Sequence, residues 1–206
     1  MLNDPVTSIT DFILGLESLI LAVLLLIRPR SSPSLPYWIV TILCTGIGTL
    51  LGGIYHGLDH PFSYGVIYLL IAVLMTTFCL AVLSDNFGQQ LVARLRLPLA
   101  GLALLFLLIA HIYPEKILTF SAILAIILVV ALGLYLRRAV IGALPGAWLI
   151  AAGIGTLLAG TVMMLGNVGF SLLWSFDRNA VYHLVLMISL LLLYLGVSLR
   201  NPVPPQ

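Results

Sequence analysis

Charge is what this chain lacks most. Nine Lys/Arg and seven Asp/Glu are all it has among 206 residues, or 8%, where a soluble domain carries roughly 25%. So few charges cannot cover a water-facing surface. A soluble enzyme, a disordered chain and a nucleic-acid binder are excluded at once. The net charge of +2 is too small to indicate a partner. Lysine is nearly absent: Lys116 stands alone near the end of an apolar run. A retinal Schiff base needs a lysine in the middle of a bundle, so a seven-helix photoreceptor is excluded too. Two cysteines, Cys44 and Cys79, both lie in apolar runs. They give no disulfide framework and read as small core residues, not thiolate ligands. No glycine-rich phosphate loop, Ser/His/Asp order or haem-attachment motif is present.

What is present is hydrocarbon. Hydrophobic residues make up 62% and the mean hydropathy is +1.20. A helix needs ~20 apolar residues to cross a bilayer core. Seven runs approach that length: about 8–27, 37–57, 62–83, 97–113, 116–136, 146–169 and 179–199. The expected fold is an all-α polytopic bundle of seven transmembrane helices forming a single domain over 1–206. Pro29, Pro33, Pro36, Pro61, Pro114 and Pro145 punctuate the runs, and Pro202, Pro204 and Pro205 end the chain. Ser8-Ile9-Thr10-Asp11 has the form of a capping box for the first helix, and Asn179 can cap the seventh. The longest polar connection is expected between the third and fourth runs. Seven arginines (Arg28, Arg30, Arg94, Arg96, Arg137, Arg138, Arg200) fall on one side, against Lys116 and Arg178 on the other. That bias puts the C-terminus in the cytoplasm and the N-terminus outside, as in a bacterial inner-membrane protein. The first run has no basic leader and reads as a retained span.

A hexapeptide repeats. Gly46-Ile47-Gly48-Thr49-Leu50-Leu51 recurs 107 residues later as Gly153-Ile154-Gly155-Thr156-Leu157-Leu158. The copies lie in the second and sixth spans, which run in the same direction. A 3+1+3 internal duplication is the implied architecture. Small residues four apart, Gly48/Gly52 and Gly155/Ala159, predict close helix contacts along these ridges.

Polar chemistry gathers at the outer end. His56 and His60 end the second span, His111 ends the fourth, and His183 lies one turn into the seventh. Asp59 and Asp177 accompany them in the loops. Outward histidine and carboxylate groups are the materials of a zinc or other transition-metal site. Histidines four apart, as in His56 and His60, share a helix face and can reach one ion. His56, His60 and His183 are therefore the candidate metal ligands, and Asp59 and Asp177 are candidate acids or bases. Glu17 is the third candidate. Counted from Ser8 at ~1.5 Å per residue it lies ~13 Å down, near the middle of the bilayer. A carboxylate there costs ~3 kcal/mol or more, which makes a functional role the default. Thr49, Thr161 and Ser189 lie at matching depth, and His56 lies ~10 Å higher.

His56 at the end of the second span and His183 early in the seventh resemble the superfamily of alkaline ceramidases, adiponectin receptors and related membrane hydrolases. The resemblance implies a zinc ion held by histidines, with His56 and His183 as ligands, and a zinc-bound water that attacks a lipid amide. Gly52 stands where that family has serine, Met187 where it has a second helix-seven histidine, and 62–83 has no aspartate. His60 or His111 would then supply the third ligand. The glutamate in the first span and Tyr55-His56-Gly57 also resemble an uncharacterised family of bacterial seven-span proteins.

Three functions compete at this stage. One is a zinc-dependent hydrolase acting on a membrane lipid. Another is a small transporter with its site near Glu17, Thr49 and Thr156. The last is a non-enzymatic membrane subunit with a protein partner, or a lipid-, metal- or haem-binding scaffold. No nucleic-acid partner is expected.

Overall fold

In hydrocarbon every backbone N–H and C=O must be satisfied within its own segment, so apolar runs of this length become helices. A computed structural model describes residues 4–28, 32–58, 63–112, 117–166, 168–172 and 174–200. It has seven helices: α1 (Pro5–Leu26), α2 (Leu35–Leu58), α3 (Ser63–Phe87), α4 (Gln89–Ile112), α5 (Ile117–Val140), α6 (Ala147–Leu165) and α7 (Arg178–Ser198). All seven are long and apolar enough to cross a membrane. The chain is a seven-span integral membrane protein.

The helix ends differ from the sequence expectation in four places. α1 is capped by Asp4, whose carboxylate accepts the Thr7 N–H at 3.2 Å, with Pro5 at the first helical position. Ser8 and Asp11 therefore lie inside the helix and cap nothing. α7 is capped by Asp177, not Asn179, through the Ala180 N–H at 2.9 Å. α4 begins at Gln89, well before 97, and keeps Pro98 inside. The expected long loop before it is a single residue, Gly88, at φ 82°. Such a left-handed stop favours glycine. Pro98 removes one helical hydrogen bond, to the Arg94 carbonyl, in a turn flanked by the exposed Arg94 and Arg96. Finally, α6 stops at Leu165, and a short antiparallel ribbon follows, β1 (Phe170–Ser171) with β2 (Ser175–Phe176). Two-residue strands are too short to show a period in sequence.

Six helices form a ring in the order α1, α2, α3, α5, α6, α7, closed by α7 against α1. The α3–α5 seam is slight, and α4 packs on α3 outside the ring. The tightest seams are α1–α2 and α6–α7, and the repeat explains both. A Cβ on Gly46 would meet the Gly15 carbonyl at 3.1 Å, and one on Gly53 the Ser8 carbonyl at 3.1 Å. Gly153 and Gly160, 107 residues later, play the same part against Ser189, Leu193 and Val185 of α7. The close-packed pairs are thus seven apart, and each pair shares one helix face. Gly48 and Gly155, expected on these ridges, have only ordinary contacts near 4 Å. Each seam also carries a serine hydroxyl donated across it at 2.8 Å: Ser8 to the Gly53 carbonyl and Ser189 to the Gly153 carbonyl. The two copies face different neighbours, since α2 packs on the helix before it and α6 on the helix after it.

The arginine-rich end is locked. Asp85 of α3 accepts the Trp38 Nε1–H at 3.2 Å, the Tyr135 hydroxyl and the Arg200 guanidinium on one oxygen. Arg200 also donates to Ser34 Oγ at 3.2 Å and lies over the rings of Trp38 and Tyr135. Trp38 and Tyr135 are fully buried. The cluster ties the segment after α7 to α2, α3 and α5. Arg28 adds a link to the Ser198 carbonyl at 3.2 Å and the Tyr194 hydroxyl at 3.3 Å, and Arg138 grips Asn86.

Candidate functional site

The opposite end, where α1 and α7 begin and α2 finishes, holds the candidate site. Asp11 lies about two turns into α1 and is 3% exposed. It fits because α2 has glycines where the two helices cross. A Cβ on Gly52 would lie 3.1 Å from Asp11 Oδ2, and one on Gly53 would lie 3.2 Å from Asp11 Cβ. Larger residues there would push the carboxylate out. On its other side Asp11 Oδ1 lies 3.3 Å from Nε2 of His183, which is also buried.

The second nitrogen of the ring identifies its tautomer. His183 Nδ1 is 3.1 Å from Thr10 Oγ1, and the Thr10 hydroxyl donates to the Thr7 carbonyl at 2.9 Å. With its hydrogen committed there, Thr10 accepts, and Nδ1 carries a proton. Nε2 is left for Asp11. A separation of 3.3 Å is long for a charge-assisted hydrogen bond, which runs ~2.7–2.9 Å. The two buried atoms face each other at a distance just beyond that of a tight pair.

A frame holds this pair. The Thr7 hydroxyl donates to Asp177 Oδ1 at 3.0 Å, so the carboxylate that caps α7 also ties α7 to α1. The Asp4 N–H donates to the His56 carbonyl at 3.1 Å, fixing the start of α1 to the end of α2. The His56 ring packs edge-on to Tyr55. α1 stands between α2 and α7, which touch each other only slightly. A metal shared by His56 and His183 needs α2 and α7 as direct neighbours; instead α1 lies between them and brings Asp11 to His183.

The other candidates separate. Asp177 is a cap and a tie. Glu17 lies ~9 Å deeper along α1 than Asp11 and makes no hydrogen bond or ion pair among the described residues. Its expected partners donate elsewhere: Thr49 to Thr45 and Gly46, Thr161 to Leu157, Ser189 to Gly153. Thr156 donates to Ala152 of its own helix, so no shared site with Glu17 and Thr49 forms among these groups. Asp59 and His60 lie outside the described residues, as does the side chain of His111. Among the described residues no three of His, Cys, Asp and Glu gather to hold a metal.

Asp11 went unrecognised in the sequence because it was counted as part of a cap. Its phase on the helix was the available signal. Ser8, Asp11, Gly15, Ser18 and Ala22 form one stripe of small and polar residues at helical spacing, and all five are buried.

The fold and this polar end define a seven-span membrane protein with a buried aspartate–histidine pair where α1 meets α7. The chain belongs to the Family of unknown function (DUF6962), whose model matches residues 6–202. No curated protein and no solved structure matches it.

Proposed function

We propose that the protein is a membrane-embedded hydrolase whose acid–base centre is Asp11 with His183, acting on a lipid from the extracytoplasmic side. The carrying observation is the buried Asp11 Oδ1–His183 Nε2 approach of 3.3 Å. The arginine bias supports placing this end outside. The superfamily resemblance supports a lipid substrate: Asp11 enters from α1 beside Gly52, the place where that superfamily carries serine.

With Nδ1 protonated toward Thr10, the pair holds one further transferable proton. Asp11 accepts a proton from water as the water oxygen bonds to the carbonyl carbon of a lipid ester or amide. His183 gives its Nε2 proton to the leaving oxygen or nitrogen as that bond breaks. Transfer of the proton from Asp11 to Nε2 restores the pair. General acid–base help of this kind is worth ~10²–10⁴ in rate.

The two donors have the spacing of two zinc ligands; among the described residues they are one short of the three protein ligands that a catalytic zinc takes. Ligands ~2.0–2.1 Å from a tetrahedral zinc lie ~3.3 Å apart, and a ligand histidine usually gives its other N–H to a fixed acceptor, here Thr10. His183 Nε2 and Asp11 Oδ1 would hold the ion, and it would polarise the carbonyl and acidify water. The test uses purified protein in nanodiscs with fluorescent glycerolipid ester and sphingolipid amide probes, alongside zinc analysis. Released fatty acid that disappears in Asp11→Asn and His183→Ala supports the reading. No release from either probe class, or release indifferent to both substitutions, ends it.

A further inference from the structure

Glu17 is the charged residue the site does not use, and its surroundings are unusual. On α1 it shares a face with Ile13, Ile20 and Leu24, continued by Ile27 at the helix cap; these are 53%, 51%, 37% and 71% exposed. The buried stripe that meets α2 and α7 lies on the other side. Glu17 therefore lies at the border of the lipid-facing side of the ring, near mid-span, without a polar partner among the described residues. A carboxyl group at that depth is costly unless a donor or acceptor meets it. Nothing in hydrocarbon can do so.

The spacing along this face is specific. Ile13, Glu17, Ile20, Leu24 and Ile27 are separated by four, three, four and three residues. That is the 3.5-residue seam of a left-handed helix pair, with one polar position in it. We propose that this seam is a homodimer interface, in which α1 packs on α1 of a second copy and the two Glu17 carboxyl groups bond to each other. Copies inserted in the same direction are related by a twofold axis along the membrane normal. That symmetry brings identical residues to identical depth. A carboxyl group in its protonated form has one donor and one acceptor, so two of them satisfy each other without further chemistry. A polar pair in an apolar seam also fixes register. No element of the proposed hydrolytic site takes part, so dimerisation and hydrolysis can be tested separately.

The test is disulfide trapping in native membrane vesicles. The full chain carries Cys44→Ala and Cys79→Ala and one new cysteine, Ile13→Cys or Ile20→Cys on the seam. Leu104→Cys, on the exposed side of α4, is the control. Oxidation is expected to give at least fivefold more covalent dimer from the seam positions than from the control. Adding Glu17→Ala should reduce trapping at least fivefold. Glu17→Gln, whose amide is also self-complementary, should retain it. Seam cysteines that crosslink no better than the control, or trapping unchanged by Glu17→Ala, would overturn the interface.

Discussion

The two ends of the bundle each bury an acid beside a base, and they treat the pair differently. At the arginine-rich end, Asp85 accepts from Arg200, Tyr135 and Trp38, and Arg200 lies over two neighbouring aromatic rings and is bonded to Ser34. Three separate parts of the chain converge on that carboxylate. At the other end, among the described residues, Asp11 has its polar contact with His183, at 3.3 Å, and lies against the glycines of α2. A carboxylate that accepts from three donors holds helices in place. A carboxylate with spare acceptor capacity beside a titratable ring is free to exchange a proton. The same residue classes thus make a lock at one end and a reactive pair at the other, and the number of donors around the acid decides which.

The sharpest way to break this contrast is to empty each end in turn. Arg200→Ala leaves Asp85 buried without its cation and is expected to cost ~3–5 kcal/mol of stability. Thermal unfolding in detergent would measure it, and a loss below 1 kcal/mol would remove the lock. Asp11→Asn should do the reverse, with lipid turnover falling ~10²–10⁴-fold and the unfolding midpoint barely moving. A variant that unfolds as readily as Arg200→Ala would make Asp11 structural as well. Tyr135→Phe deletes one hydrogen bond to a charged oxygen and should cost ~1.5–3 kcal/mol, read in the same unfolding assay. Thr10→Val removes the acceptor for His183 Nδ1. It should cost ~1 kcal/mol while lowering turnover severalfold, with ring NMR shifts reporting a changed tautomer. The smallest effect is expected from Glu17→Gln, which keeps both donor and acceptor. It should leave turnover and unfolding of the wild-type chain unchanged within error.

Much of the fold is readable from composition and spacing. Runs of ~20 apolar residues become spans because the bilayer leaves the backbone no other choice. The histidines at 56 and 183 are visible as polar residues near helix ends, and the structure does place them at one end of the bundle. Asp11 was hidden by a rival local explanation, since Ser-x-x-Asp before an apolar run has the form of a cap. Glu17 was read by depth alone, whereas its phase puts it near Ile13 and Ile20 and away from the ring's interior. Of the lock, the sequence shows only Arg200, as one of the arginines on the basic side. Nothing local links residues 38, 85, 135 and 200.

Sequence by itself determined that this chain lives in a membrane, how many times it crosses, and which end is basic, because those properties sum over residues one at a time. Tertiary structure decided which polar residues meet. Gly52 and Gly53 open space for Asp11 only when α1 crosses α2, and His183 reaches that carboxylate only when α7 closes the ring against α1. Pairings of this kind depend on helix phase and neighbour order together, and a one-dimensional hydropathy pattern records neither.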